Sequence, residues 1–123
     1  MITFFCVATP DPSLDRLLDL AGEVLVISED GEYWVKFEAW KVAPTPGKPH
    51  GVSYSLTLHG PGNERLVGFD NAHPVSPAKW GEAQDHQHAG RRAQPYEYSD
   101  AAALLEAFWT QVDAVLDERG VDR

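Results

Sequence analysis

Val52-Ser53-Tyr54-Ser55-Leu56-Thr57-Leu58-His59 alternates without a break, with Val52, Tyr54, Leu56 and Leu58 on one side and Ser53, Ser55, Thr57 and His59 on the other. A period of two marks a strand with one buried face. Gly60-Pro61-Gly62-Asn63 interrupts the run and Arg65 to Phe69 resumes it, which reads as an antiparallel hairpin. Upstream, Glu23 to Ser28 and Glu32 to Val42 read as a second hairpin, joined at Glu29-Asp30-Gly31 by the Asp-Gly turn signal. Its second strand places Tyr33, Val35, Phe37 and Ala39 on one face and Trp34, Lys36, Glu38 and Trp40 on the other. Ala43 to Gly51, with Pro44, Pro46, Gly47 and Pro49, cannot continue a ladder and is an exposed connection.

Helical periods flank these strands. Leu14, Leu17 and Leu18, with Ser13 as cap and Gly22 as stop, predict a short N-terminal helix. From a cap at Ser99 to about Glu118, the residues Leu104, Leu105, Phe108, Trp109, Val112, Val115 and Leu116 form a continuous apolar stripe. That stripe must cover apolar surface, and the sheet built from residues 23 to 70 is the only one large enough. The expected fold is α+β: an antiparallel sheet of about four to five strands, with the C-terminal amphipathic helix packed on one face. Tyr96 and Tyr98 are expected to pack under that helix. The Trp34/Trp40 face is expected to be covered by the N-terminal segment or by a partner.

At 123 residues the chain is expected to form a single domain, residues 1–123. A globule of this size buries roughly two thirds of the surface its unfolded chain exposes. Cys6 is the only cysteine, which excludes an intramolecular disulfide and a cysteine-rich zinc knuckle. Met1 to Val7 lacks the basic flank and longer apolar run of a signal peptide, and no run approaches membrane-spanning length, so a cytoplasmic protein is expected. The formal charge of −9 repels polyanions at long range, so any nucleic-acid contact must be local.

The residues suited to chemistry lie close together in Asp70-Asn71-Ala72-His73 and Asp85-His86-Gln87-His88. Asn71 to Gln94 is polar, carries Pro74, Pro77, Gly81 and Gly90, and reads mostly as loop. A short edge strand over Asp85 to His88 would set His86 and His88 on one face. Imidazole titrates near neutral pH, with an unperturbed pKa of about 6.5, and is also the commonest metal ligand. Asp70, His73, Asp85, His86 and His88 are therefore the candidate catalytic residues, and the adjacent Arg91 and Arg92 the candidate phosphate-binding pair. Asp70-Asn71 also has a purely structural reading, because both side chains settle turns by bonding their own backbone.

Several of these stretches together resemble the TumE family. They are Tyr33 to Ala39, Pro49 to His59, Gly68-Phe69-Asp70-Asn71-Ala72-His73, Asp85-His86-Gln87-His88, and Pro95-Tyr96-Glu97-Tyr98 ahead of an acidic amphipathic helix. The resemblance spans roughly residues 22 to 118. It implies a toxin of a bacterial or archaeal toxin-antitoxin pair, with a helix-turn-helix antitoxin as partner. The family pattern often carries a proline and paired histidines after Asp-Asn-Ala and a Pro-His-His-X-His run later. Here a single His73 follows, and Asp85 stands where that proline and first histidine are expected.

Three functions compete on the sequence alone. The cluster could cleave RNA without a cofactor, one imidazole taking the 2′-hydroxyl proton, another protonating the leaving oxygen and arginines holding the phosphate. The acidic charge and the tryptophan face instead suit a non-enzymatic module that binds a basic DNA-binding regulator. A metal held by His73, His86 and His88 would make the chain a small metalloenzyme.

Overall fold

The computed structural model describes residues 11–71, 85–89 and 92–123. Helix α1 (Leu14–Leu20) is followed by strands β1 (Val24–Val26), β2 (Trp34–Lys41), β3 (Val52–His59), β4 (Arg65–Asp70), β5 (His86–Ala89) and β6 (Arg92–Pro95), and by helix α2 (Ala101–Glu118). The six strands form one sheet in sequence order, every neighbouring pair antiparallel.

The alternation in β3 sets the layers. Val35 and Phe37 pair with Leu58 and Leu56, and these with Val67 and Phe69, so one face is a continuous apolar surface. Against it α2 buries Ala101, Leu104, Phe108, Val112 and Leu116. Phe108 meets Phe37 and Phe69 edge-on at ring-centroid separations of 5.7 and 6.3 Å. Fully burying each such side chain stabilises by about 1.5–3 kcal/mol. The stripe read from the sequence is thus the seam of the core, and Tyr96 joins it at 5.1 Å from Phe69.

Three expectations change. The sheet has six strands because Arg92–Pro95, expected as loop, pairs with β5. All of β6 is exposed, so it carries no apolar alternation, and Pro95 is tolerated because the strand lies at the edge. β5 is accordingly interior and not an edge.

The third change concerns the caps. Asp100, not Ser99, caps α2 by accepting from the Ala103 amide at 2.7 Å. The two preceding α2 amides are satisfied from the α1 segment: Ala101 N–H donates to Asp11 Oδ2 at 2.8 Å and Ala102 N–H to Ser13 Oγ at 2.9 Å. Ser13 does stand at the start of α1, but its side chain makes no cap bond there. Its oxygen serves the other helix, which ties α1 to α2.

The β3–β4 connection needs its glycines for different reasons. Gly62 adopts a φ of 71°, in the left-handed region that side chains disfavour. At Gly60 a Cβ would come within 2.9 Å of Leu66 Cδ1 and 3.1 Å of Tyr33 Cε2, so the turn can sit on the core only without a side chain.

Past the end of β4, Asn71 continues the ladder with its side chain. Its Oδ1 accepts from the Tyr54 amide at 3.0 Å and its Nδ2 donates to the Val52 carbonyl at 2.7 Å. The structural reading of Asn71 therefore holds in a different form, since the carboxamide bonds the neighbouring strand and not its own turn. Removing it would orphan two buried backbone groups, each costing about 1–3 kcal/mol. Asn71→Ala is expected to lower the unfolding free energy by about 2–4 kcal/mol in urea titrations. A loss below about 0.5 kcal/mol would contradict this role.

Candidate functional site

Asp70 ends β4 opposite His86 in the β4–β5 register, and Gly68 lies opposite His88. All four positions are on the sheet face away from α2, because Phe69 and Gln87, between them, alternate to the helix side. Asp70 Oδ1 lies 3.0 Å from His86 Nε2, and Asp70 Oδ2 lies 3.3 Å from His88 Nε2. The two imidazoles stand edge to face at 4.6 Å. His86 and Asp70 are buried; the His88 side chain, 17 % exposed, is the most open of the three.

A carboxylate accepts hydrogen bonds and does not donate them, so an imidazole facing it through Nε2 presents an N–H there and keeps its lone pair on Nδ1. Burial holds the His88 pKa below its ordinary value of 6.5, helped by the positive charge of Arg65 and by His86; Asp70 pulls the other way. His88 is thereby kept as a neutral base with its ring oriented by a carboxylate.

Arg65 reaches this face through an irregularity. Strict alternation from Asp70 and Gly68 would put Leu66 on this face and Arg65 on the helix side. The β3–β4 register instead shifts between Leu58 and His59, so that His59 pairs with Arg65. Leu66 is consequently buried beside Val67, and the Arg65 stem runs next to Gly68. A Cβ added at Gly68 would meet His88 Cδ2 at 3.4 Å and Arg65 Cδ at 3.5 Å, so the bare glycine leaves the room that these two side chains share. Farther along the face, Trp34 stacks on His59 at 4.1 Å, while Trp40 is exposed. The N-terminal helix does not cover the tryptophans, since α1 packs with α2 on the other face and buries Leu17 in the core; residues 1–10 lie outside the described residues.

Asp85 is not part of this cluster. Its Oδ2 accepts a 2.7 Å hydrogen bond from the Tyr54 hydroxyl on the helix side, and its Oδ1 is buried with no hydrogen-bond partner among the described residues. Burial raises its pKa, against the lowering effects of the Tyr54 bond and the His50 and His86 charges. Burial and the Asp85 charge in turn push the Tyr54 hydroxyl up, keeping it a donor. Tyr98 lies 5.8 Å from Tyr54 and 4.2 Å from His50 between ring centroids, completing a ring-lined surround.

Of the residues singled out in the sequence, Asp70, His86 and His88 are brought together, Asp85 is one strand position away on the opposite face, and Arg92 is exposed at the start of β6. His73 and Arg91 lie outside the described residues. Arg65 and Tyr54 were not anticipated. Nothing in the sequence marks the bulge that turns Arg65, whereas a tyrosine among the aliphatic core positions of β3 is a signal, since a buried hydroxyl needs a partner.

An antiparallel meander closed by one amphipathic helix, with a carboxylate held between two imidazoles, makes this a small α+β protein with three side chains of acid–base and metal-ligating type in contact. The family model described as Toxin TumE matches residues 14–116, and the chain belongs to that family. No curated protein and no solved structure gives a significant match. No helix among the described residues is long and apolar enough to cross a membrane.

Because the folded state holds His88 below 6.5, the unfolded chain takes up its proton more readily. His88 thus subtracts stability as the pH falls below 6.5 and has no such effect above it. In an NMR titration the His88 ring should show a midpoint below 6.5, and Arg65→Gln should move it upward. A midpoint at or above 6.5 in the parent protein would contradict the assignment of burial as the dominant cause.

Proposed function

We propose that this chain is the toxin of a toxin-antitoxin pair and that it cleaves RNA at the Asp70–His86–His88 cluster. The observation that carries the reading is one carboxylate in contact with two imidazoles, beside an arginine stem, in a member of a toxin family. His88, the more open imidazole and one whose pKa burial holds down, takes the proton of an RNA 2′-hydroxyl. The 2′-oxygen bonds to the adjacent phosphorus, the bond from phosphorus to the 5′-oxygen breaks, and the leaving oxygen takes a proton from the second imidazole, His86. Asp70 orients the base and stabilises the imidazolium that forms, as the carboxylate does in a Ser-His-Asp triad. Arg65 supplies positive charge for the phosphate. Arg91 and Arg92 stay as phosphate-binding candidates from the sequence, with Arg92 set on the α2 side of β6, across the sheet from the cluster. His73 enters as an additional proton carrier and Asp85 as a buried carboxyl behind β5, both as candidates from the sequence.

A toxin of this kind acts in the cytoplasm and is held in check by an antitoxin. The charge of −9 suits a basic, helix-turn-helix DNA-binding partner. A second reading draws on a separate measurement. One ligand atom from each of Asp70, His86 and His88 lies within 4.8 Å of the others, a spacing that a divalent transition-metal ion could bridge. In that case both Nε2 atoms would be deprotonated and bound to the ion, and the purified protein would carry stoichiometric zinc or manganese.

Induced without an antitoxin, the chain should slow growth and, when purified, cleave single-stranded RNA. His88→Ala and Asp70→Asn should each lower the rate by about a hundred- to ten-thousand-fold. Parent-like cleavage by folded His88→Ala protein would rule the mechanism out. Zinc or manganese that leaves the protein on His86→Ala substitution would transfer support to the metal reading.

A further inference from the structure

On the face away from α2, Trp34 stacks on His59 with ring centroids 4.1 Å apart and planes 10° from parallel. The two residues face each other across the β2–β3 ladder, and Arg65 faces His59 across β3–β4. Trp34, His59 and Arg65 thus form one row that leads across the sheet toward Gly68 and His88. Neighbouring strands are about 4.8 Å apart, so the row spans roughly 10 Å. Neither ring belongs to the apolar core, which lies on the helix side. Parallel stacking uses one face of each ring and leaves each with an outer face.

Cations gather round this stack. Arg65 is exposed and forms no ion pair or hydrogen bond among the described residues, in a chain with nineteen acidic residues. Burial holds the His59 pKa below its ordinary value, and the charges of Arg65 and Lys36 add to the effect, which sets both cations near the ring. Lys36 Nζ lies 2.9 Å from Glu38 Oε1, but both side chains are more than two-fifths exposed. An ion pair that open to water is weak enough for a phosphate to compete for the ammonium.

A neutral aromatic stack with two cations beside it has the composition of a single-strand nucleic-acid contact, in which bases stack on rings and basic side chains hold the backbone. The same two cations repel the basic protein partner that the rest of this acidic chain suits, so nucleic acid is the favoured occupant of this face. We propose that the Trp34–His59 stack is a platform for one base of single-stranded RNA, with Arg65 holding the phosphate between that base and His88, and Lys36 a neighbouring phosphate. The inference rests on the ribonuclease reading above, which makes the phosphate at Arg65 the cleaved one. Because every base has a π-face, such a platform tolerates any base and requires an unpaired strand.

The test titrates the full chain with a short mixed-sequence RNA in which every 2′-hydroxyl is methylated, so that it binds and cannot be cleaved. In the parent protein the Trp34 indole N–H signal should shift on binding, which reads the platform without a substitution. Trp34→Ala should weaken binding by about five- to hundredfold, the effect of one lost base stack, and Trp34→Phe by less. Arg65→Gln should weaken binding and lower its salt dependence by about one phosphate contact, a dependence that Trp34→Ala leaves in place. With unmodified RNA, Trp34→Ala should raise KM more than it lowers kcat. An unshifted Trp34 signal in the bound parent, or parent-like KM in both folded Trp34 variants, would overturn the platform and leave the ribonuclease reading intact. A parent protein that binds the methylated strand through Trp34 and leaves unmodified RNA whole would support the platform and overturn the ribonuclease reading. Absence of both binding and cleavage would overturn the two together.

Discussion

Asp70 faces His86 across the β4–β5 ladder, and because strand side chains repeat every two residues, the same carboxylate also reaches His88. A slip of one residue in this register would send both imidazoles to the helix side and bring Gln87 in their place. The register is in turn anchored by the core, since Phe69, which precedes Asp70, packs against Phe108 and Tyr96. Asn71, which follows Asp70, holds the end of β4 to β3 with its side chain. Asp70 is thus fixed between a hydrophobic anchor and a polar one, and the imidazoles are placed by the strand that pairs with it.

Burial then determines what these groups can do. On the face away from α2, it keeps His88 in its neutral form, with Arg65 adding to the effect. On the other face, Asp85 is held toward its protonated form, with Tyr54 as its donor. Two carboxyl groups close in the fold are therefore given different environments, one hydrogen-bonded to imidazoles and one to a phenol among aromatic rings. In an acidic chain, the Arg65 stem beside Gly68 sets positive charge next to the His88 imidazole.

The apolar half of this design was legible in the sequence. The alternation of Val52 to His59 and the stripe from Leu104 to Leu116 gave the layers, because burial imposes periods that a reader can count. Spacing also put His86 and His88 on one face. β6 was not legible, since an exposed edge strand carries no apolar pattern. Nor was the orientation of Arg65, which depends on a bulge, or the separation of Asp85 from Asp70, which depends on a hydroxyl reaching across from Tyr54. Ser13 gave a helix-start signal, but its oxygen is spent on a different helix, a contact between Ser13 and Ala102 that local sequence does not encode.

The central claim is proton transfer by two imidazoles held on one carboxylate, and the chemistry of the RNA ends tests it most directly. Attack by the 2′-oxygen leaves a 2′,3′-cyclic phosphate on one fragment and a 5′-hydroxyl on the other, with no requirement for a metal ion. Purified protein should therefore cleave RNA in the presence of EDTA and yield those two ends. Fragments bearing 5′-phosphates, or activity abolished by the chelator and restored by zinc or manganese, would contradict it.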